Sequence, residues 1–379
     1  MKALCLVTEQ PYPPRNGITI PTSNQINVLK NSGHQIIIIN MEDLTEDTKL
    51  SIPLRSRMIN ELTGREAFFT IHYSKDFIRN KLKVNGPFDI IYYSPISLYQ
   101  VALDFNNFHY EIYGKRAKII ASISDCYTSV LESKRHRDNI ALKQLPNIIR
   151  SLYMGKYESE ILNQADIVFV QTQRDKEWVK KIGTKTDVLI YTNGVNDKLF
   201  SINNQFNKNL VFVANLKDEY YQDKLKWFLN NCWANILKAH SDVTLYVYAG
   251  GMVSNLHNIK AKNVILVNEF VEDITDIYQG KAIAIAPIFK KFGFINKVAE
   301  AMASGLVVIG DESAFNGMND IDSSLFSNDA KSFTSNIINL LDDSEVWYSY
   351  HNNFKNYALK HFSWSSRNKG FENFLNTLK

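Results

Sequence analysis

Short apolar runs of strand length recur along the chain, separated by longer stretches that mix apolar and polar residues. The run Gln35–Asn40 (QIIIIN) has four consecutive β-branched isoleucines, as in parallel strands whose two faces are both covered. Before it, the pattern predicts a strand over Ala3–Thr8, a turn-rich loop, and a helix over residues 21–32 that ends at Ser32-Gly33. This order predicts a β-α-β unit with a right-handed crossover.

The same alternation continues in two series. The first predicts four more strands and two basic helical stretches: Asp89–Tyr93, Lys118–Ser124, Asp166–Gln171, Val188–Tyr191, and residues 55–84 and 130–164. The second predicts five strands and four helices: Leu210–Ala214, Val243–Ala249, Val264–Val267, Ala282–Ala286, Val307–Gly310, and residues 224–239, 295–304, 331–342 and 345–361. We therefore expect an α/β fold with two doubly wound parallel-sheet domains, residues 1–192 and 193–360. A helix over 361–379, with Ser363 as its N-cap, would return to the first domain, and a ligand cleft would lie between the two.

Composition favours a folded protein and excludes several other classes. Of 379 residues, 45% are apolar and 22% are charged, which excludes a disordered or collagen-like chain. The net charge of +4 does not indicate nucleic-acid binding, although the first 194 residues are the basic part, with 25 Lys and Arg against 20 Asp and Glu. Three scattered cysteines predict a reducing compartment and no zinc site. Without a signal peptide or an apolar run of about 20 residues, a cytoplasmic location is expected.

The segment Phe292–Ile309 carries the strongest candidate chemistry. It predicts a loop, a helix and a buried strand, and the free N–H groups of a helix N-terminus suit a phosphate. Lys297 lies in the first turn, where a cation opposes the helix dipole, so we expect it to bind an anion. Glu300 lies on the same face, and its carboxylate can bond sugar hydroxyls. The spacing alone leaves open a plain Lys–Glu surface pair.

This segment resembles the signature of group 1 glycosyltransferases (glycosyltransferase family four), which reads E-A-M-A-x-G-x-P-V-V. Residues Glu300–Ile309 match it except that Val307 replaces proline. The resemblance implies a GT-B fold and transfer from a nucleoside diphosphate sugar of UDP or GDP type, with neither metal nor cofactor. It implies that Glu300 bonds the ribose. Lys297, together with the N–H groups of the helix that starts near Ile295 and Asn296, would neutralise the leaving diphosphate.

Other segments are similar to the family in the same order along the chain. Tyr191–Phe200 resembles the interdomain motif P-N-G-V-D, and Asn268–Ile274 resembles a loop whose backbone, here at Phe270 and Val271, faces the nucleotide base. Gly17 occupies the glycine loop after the first strand, and Gly250 ends a strand of the second domain. Both glycines are expected to join the donor site, because a glycine lets backbone approach a ligand closely. His361–Trp364 is similar to the F-S-W start of the returning helix.

Two positions depart from the family. Phe292 stands where the family has a glutamate that contacts the donor sugar, and Asn215 stands where many members have a phosphate-binding arginine. We still place Asn215 in the donor site by its position, with Lys217 or Lys224 as substitute cations; surface lysines are the alternative. Asp125 follows a predicted strand directly and is expected to face acceptor and donor sugar as a catalytic residue, or else to cap the next helix.

The resemblance implies a retaining glycosyltransferase of bacterial polysaccharide biosynthesis, with a nucleotide sugar as donor and a glycan or lipid-linked saccharide as acceptor. The basic stretches Arg55–Lys83 and Ser133–Arg150 would rest on an anionic membrane at the inner face of the plasma membrane, or else form ordinary amphipathic helices. A nucleotide-sugar epimerase and an inactive donor-binding partner subunit are the alternatives. Asp320-Ile321-Asp322 is expected to be solvated, and His34 and His109 to be structural.

Overall fold

The computed structural model describes residues 1–14, 18–40, 75–123, 126–129, 153–253, 261–289 and 294–378. The chain divides into two compact units. One consists of Met1–Thr192 with Asn368–Lys379, and the other of Asn193–Arg367. The final helix therefore begins in the second unit and ends in the first.

The first unit is built on a parallel sheet of six strands in the order β2-β1-β3-β4-β5-β6. The strands are β1 (Lys2–Val7), β2 (Gln35–Asn40), β3 (Ile90–Ser94), β4 (Lys118–Ser122), β5 (Ile167–Val170) and β6 (Asp187–Ile190). The six strands predicted in this half are confirmed, five of them with ends shifted by one or two residues. Gln35–Asn40 has the predicted bounds, but it was expected to be covered on both faces, whereas β2 is the end strand of the described sheet and only Ile39 and Asn40 are buried. Central strands such as β1 and β3 are buried nearly throughout, as expected for parallel strands with helices on both faces.

The helices of the first unit are α1 (Thr19–Asn31), α2 (Lys75–Asn85), α3 (Tyr99–Tyr113), α4 (residues 153–162) and α5 (Gln173–Lys181). Helix α5 begins with a capping box, in which Thr172 and Asp175 satisfy each other's backbone N–H groups. The end of the chain completes the core of this unit. Phe371 packs edge-on against Phe169, and Asn368 accepts a hydrogen bond of 2.6 Å from the Tyr191 hydroxyl.

His109 on α3 is fully buried and held as one neutral tautomer, which bears out its expected structural role. Its Nδ1–H donates to the Lys115 carbonyl at 2.7 Å, and its Nε2 accepts from the Phe88 N–H at 2.9 Å. A proton on Nε2 would break the second bond. Burial lowers the pKa of His109, and the bond to the Lys115 carbonyl and the charge of Asp89 oppose that shift.

We expect acid to destabilise the first unit through His109. An unfolded histidine takes up a proton near pH 6.5 whereas folded His109 stays neutral, so unfolding gains protons and stability falls as the pH drops below about 6.5. Thermal unfolding between pH 8 and pH 5 would measure this. In His109→Gln the loss between pH 7 and pH 5 should be smaller than in the wild type, and equal slopes would contradict the prediction.

The second unit is built on a parallel sheet of five strands in the order β11-β10-β7-β8-β9. The strands are β7 (Asn209–Val213), β8 (Thr244–Tyr248), β9 (Val264–Val267), β10 (Ile283–Ala286) and β11 (Val307–Gly310). All five predicted strands are present, and β9 and β11 have the predicted bounds. Numbered within the unit the order is 5-4-1-2-3, so the direction of winding reverses between β7 and β10.

The helices of the second unit are α6 (Glu219–Phe228), α7 (Ala234–Ala239), α8 (Ile274–Tyr278), α9 (Asn296–Ala303), α10 (Ala330–Asp342) and α11 (Ser344–Phe362), and α12 (Trp364–Thr377) leads back to the first unit. The single helix predicted over 224–239 is interrupted by a π-helical segment, Leu229–Trp233, which buries Cys232 and Trp233.

Ser363 caps α12 as predicted, because its Oγ accepts from the Ser366 N–H at 3.4 Å. All three cysteines are buried and free.

In the parts of the chain that the structure describes, no helix is both long enough and apolar enough to pass through a bilayer. Most of the two stretches predicted to rest on a membrane, residues 55–74 and 133–150, lies outside the described residues. The remainder forms α2, whose Ile78 and Leu82 pack into the core of the first unit.

Candidate functional site

The strand order of the second sheet points to the edge formed by the carboxyl ends of its strands as the ligand site. Open α/β sheets bind ligands at the carboxyl ends of the strands, where the strand order reverses. Here that place lies between β7 and β10. Asn215 follows β7 by two residues, Gly250 follows β8 by two, and the chain after β10 leads into α9.

The first turn of α9 presents backbone N–H groups toward this edge. Ile295 is the N-cap residue, and no side chain of the described residues caps the turn. Asn296, the first helical residue, accepts a hydrogen bond of 3.1 Å from the side chain of Asn193 in the motif Asn193-Gly194-Val195. The helix start is thus tied to the motif at the beginning of the unit, while its N–H groups remain available to an anion.

Lys297 and Glu300 form an ion pair on α9, which confirms that they share one face. Lys297 Nζ donates to Glu300 Oε2 at 2.9 Å and to Oε1 at 3.3 Å. The Glu300 residue is only 8% exposed, whereas the Lys297 side chain is 45% exposed. The pair therefore differs from an ordinary surface pair, because its acid is buried while its base reaches solvent.

A second hydrogen bond to Glu300 comes from a neighbouring helix, α8. Tyr278, at the end of α8 and fully buried, donates from its hydroxyl to Glu300 Oε2 at 2.7 Å. The buried Asn204 side chain donates to the carbonyls of Tyr278 (3.1 Å) and Ser304 (2.9 Å), so it joins the ends of α8 and α9. Lys297, Glu300 and Tyr278 therefore form a polar cluster, and Asn204 supports it by joining the two helices that carry it.

The predicted positions after β7 and β8 pack directly on each other. Gly250 has φ +71°, and a Cβ there would lie 3.3 Å from the Ala214 carbonyl oxygen and 3.3 Å from Asn215 Cα. A side chain at Gly250 is thus disfavoured by both backbone conformation and space. The exposed Asn215 side chain accepts the Lys217 N–H at 3.2 Å, which forms a turn at the edge of the sheet.

The loop after β9 presents an apolar side chain to solvent. Phe270 is 75% exposed, and Val271 beside it is half-buried. Asn268 pairs with the backbone of Val253 through two bonds of 2.9 and 3.1 Å, so this loop is tied to the chain that follows β8. Asp273 caps α8 through the Thr275 N–H and pairs with Lys198 at 3.1 Å, and these bonds lower the pKa of Asp273 to about 2.

Residues 207–343 match the family model described as glycosyl transferases group 1. The second unit carries a group 1 glycosyltransferase domain. The matched residues include Lys297, Glu300 and Tyr278, so the resemblance seen in the sequence is confirmed where the polar cluster lies. No curated protein matches the chain.

Solved glycosyltransferase structures share the fold over the full chain. Sucrose-phosphate synthase from Thermosynechococcus elongatus has a TM-score of 0.62 at 13% identity and covers 100% of this chain and 99% of its own. TarM of S. aureus, in a complex with UDP, α-GlcNAc-glycerol and fondaparinux, has 0.61 at 11% identity with full coverage of both chains. Anabaena HepE with UDP-glucose has 0.59 at 12% identity, also with full coverage of both. The predicted two-domain GT-B fold is thereby confirmed.

The two candidate substitute cations of the group 1 domain differ in their surroundings. Lys217 is exposed, whereas the half-buried Lys224 lies over the rings of Tyr220 (5.0 Å) and Phe289 (5.2 Å). Tyr220 also donates a short hydrogen bond to the Ile288 carbonyl. Lys224 is therefore placed beside the chain that leaves β10, at the edge where the donor site is expected.

Sequence reasoning missed two residues of the group 1 domain that shape this edge: Tyr278 and Asp311. Asp311, at the end of β11 and 2% exposed, accepts the N–H groups of Ile288 (2.6 Å) and Phe289 (2.8 Å). Phe289 has a positive φ of 49°, which a non-glycine residue rarely adopts. Asp311 thus holds the chain after β10 in an unusual conformation. In the sequence, the only sign of this role is that Asp311 directly follows a predicted strand, and this does not show which groups Asp311 would bond.

Three predicted positions lie outside the described residues: Asp125, Gly17 and Phe292. Asp320 and Asp322 are exposed, as expected, and Asp322 caps the short helix Ser323–Leu325. Among the residues that the structure describes, no group of three or more His, Cys, Asp or Glu side chains is arranged to hold a metal ion.

Proposed function

We propose that this protein is a retaining glycosyltransferase that uses a UDP-sugar and acts in the synthesis of a bacterial polysaccharide. The observation that carries the proposal is the cluster formed by Lys297 and Glu300 near the start of α9 and Tyr278 at the end of α8, inside the group 1 domain. The base is assigned as uracil because the sugar transferases with a similar fold, TarM and HepE, were solved with UDP or UDP-glucose.

The cluster has the chemistry that a nucleoside diphosphate requires. In the proposed complex, Glu300 accepts hydrogen bonds from the ribose hydroxyls. Lys297 and the N–H groups at Ile295 and Asn296 meet the diphosphate, helped by the positive end of the helix dipole. Phe270, Val271 and Gly250 border the base and sugar of the nucleotide, and Asn215 lies at the phosphate end.

The transfer step leaves the diphosphate with the charge that must be stabilised. The bond from the anomeric carbon to the β-phosphate oxygen breaks, and UDP departs with the electron pair. The acceptor hydroxyl oxygen bonds to the same carbon on the same face, and its proton passes to the departing phosphate oxygen. Lys297 stabilises the charge as it develops, which is the kind of contribution that often dominates in enzymes. No protein nucleophile and no metal takes part in this scheme.

The acceptor in this proposal is a glycan or a lipid-linked saccharide that meets Asp125 and Gly17 of the first unit. Asp125 follows β4 in the sequence, at the carboxyl end where ligands of open sheets bind. Its role is to face the acceptor hydroxyl and the donor sugar.

Calorimetric titration with UDP, GDP, ADP and CMP tests the donor assignment. We expect UDP to bind at least about 10-fold more tightly than the other three, a difference of roughly 1.4 kcal/mol. Incubation with UDP-glucose and UDP-GlcNAc and a panel of oligosaccharides should then release UDP only when acceptor is present. Conversion of the donor without acceptor would indicate an epimerase, and UDP binding without turnover an inactive partner subunit. Failure to bind any nucleotide would refute the proposal.

A further inference from the structure

Glu300 is the centre of a hydrogen-bond set whose three described bonds are unequally divided between its two oxygens. Oε2 accepts from Tyr278 at 2.7 Å and from Lys297 at 2.9 Å, whereas Oε1 accepts only the longer bond of 3.3 Å from Lys297. A carboxylate offers roughly two acceptor directions on each oxygen. Oε2 is therefore filled, and Oε1 keeps capacity for another donor.

Tyr278 differs from Lys297 in what it can do when a ligand arrives. Lys297 is a flexible, partly exposed cation that can turn toward a phosphate, and in doing so it loosens its hold on Glu300. Tyr278 is fully buried, and Asn204 fixes its backbone to the end of α9. Burial and the nearby Glu300 carboxylate raise the pKa of Tyr278 well above its usual value, so the phenol remains a donor.

We propose that Tyr278 is a positioning residue for donor recognition: it holds Oε2 of Glu300 so that Oε1 faces the ribose hydroxyls, also after Lys297 has turned to the diphosphate. This inference rests on the proposed function. Nucleotide affinity then depends on Tyr278 only through the ribose. Without the Tyr278 hydroxyl the Glu300 carboxylate is free to rotate. Binding of the ribose must then fix the carboxylate, and this loss of rotational freedom weakens the bond to the ribose hydroxyl.

Titration of UDP and 2′,3′-dideoxy-UDP into the wild type and Tyr278→Phe tests the inference. The wild type is expected to bind dideoxy-UDP about 10- to 100-fold more weakly than UDP, as for hydrogen bonds to a charged group. In Tyr278→Phe this discrimination should fall to about 3-fold or less, with UDP weakened and dideoxy-UDP nearly unchanged. A merely structural role would weaken both ligands equally and would overturn the inference.

Tyr248→Phe is the matched control. Tyr248 also donates its hydroxyl to α8, to the Asp276 carbonyl at 3.1 Å, but does not bond Glu300. Its discrimination between the two ligands should equal that of the wild type. If Tyr278→Phe does not fold, Asn204→Ala is the second variant, because it frees the backbone that carries Tyr278 without altering the Glu300 carboxylate. Its discrimination between the two ligands should also fall, and unchanged discrimination would overturn the inference.

The outcomes separate the two proposals. A wild type that does not bind UDP contradicts the proposed function itself. A wild type that binds UDP but does not distinguish the dideoxy form contradicts the role of Glu300, and with it the role of Tyr278. Discrimination that is present in the wild type and intact in Tyr278→Phe contradicts the inference alone.

Discussion

Replacing Lys297 with alanine is expected to lower kcat/KM for the UDP-sugar about 10²- to 10³-fold, the usual effect of removing one group that stabilises developing negative charge. Lys297 lies at a helix N-terminus, pairs with the buried Glu300 carboxylate, and has a side chain that is 45% exposed. In the proposed site it is the mobile cation nearest the diphosphate, and its charge is needed most when UDP departs.

Three measurements make this prediction specific. Calorimetry should show UDP binding weakened at least about 10-fold in Lys297→Ala, whereas uridine, which has no phosphate, should bind nearly as in the wild type. Lys297→Arg should recover part of the activity, since it restores a cation. Lys226→Ala removes the same charge from the exposed face of α6 and should change kcat/KM by less than about 2-fold. Unchanged kcat/KM in Lys297→Ala would refute the assignment.

The strands were predictable from the sequence because each contains a short, mostly apolar run of strand length, and several of these runs are rich in β-branched residues. Two helices of the first unit were not. Helix α5 (QRDKEWVKK) buries only Asp175 and Val179, and its apolar residues are too few to indicate a helix by their spacing. Helix α3 buries Asn106 and His109 among its aromatic residues, and these polar residues weaken the apolar stripe that indicates a helix.

The site was predictable only as far as local spacing determines it. Lys297 and Glu300 are three residues apart, so any helix places them together. Tyr278 lies 22 residues before Glu300, and Asp311 lies 23 residues after Ile288. Both contacts depend on how α8, β10, α9 and β11 pack around the sheet. A single sequence does not show which buried hydroxyl or acid meets which partner, because the pairing is decided by tertiary packing.

Glu158 is the buried acid of the first unit that we expect to matter most for stability. It is fully buried on α4, and Oε1 accepts the Tyr127 N–H at 2.7 Å. Oε2 accepts from the Thr128 N–H (2.9 Å), the Thr128 hydroxyl (2.5 Å) and the Cys126 thiol (3.3 Å). Burial raises the pKa of Glu158, and the bonds from Thr128 and Tyr127 oppose that rise. Every donor belongs to the short segment that directly follows Asp125.

Glu158→Ala should therefore destabilise the first unit by about 3 kcal/mol, since several donors lose a buried acceptor and each unsatisfied group costs roughly 1–3 kcal/mol, less the energy regained by no longer burying the acid. For a unit of this size the melting temperature should fall by about 6–12 °C. Glu160→Ala is the matched control, because Glu160 lies on the same helix but is exposed; its effect should stay within about 0.5 kcal/mol. Hydrogen exchange measured by mass spectrometry should show faster exchange over residues 153–162 and unchanged exchange over Ala330–Asp342. If Glu158→Ala has the same melting temperature as Glu160→Ala, the Glu158 carboxylate does not stabilise this segment, and the prediction is wrong.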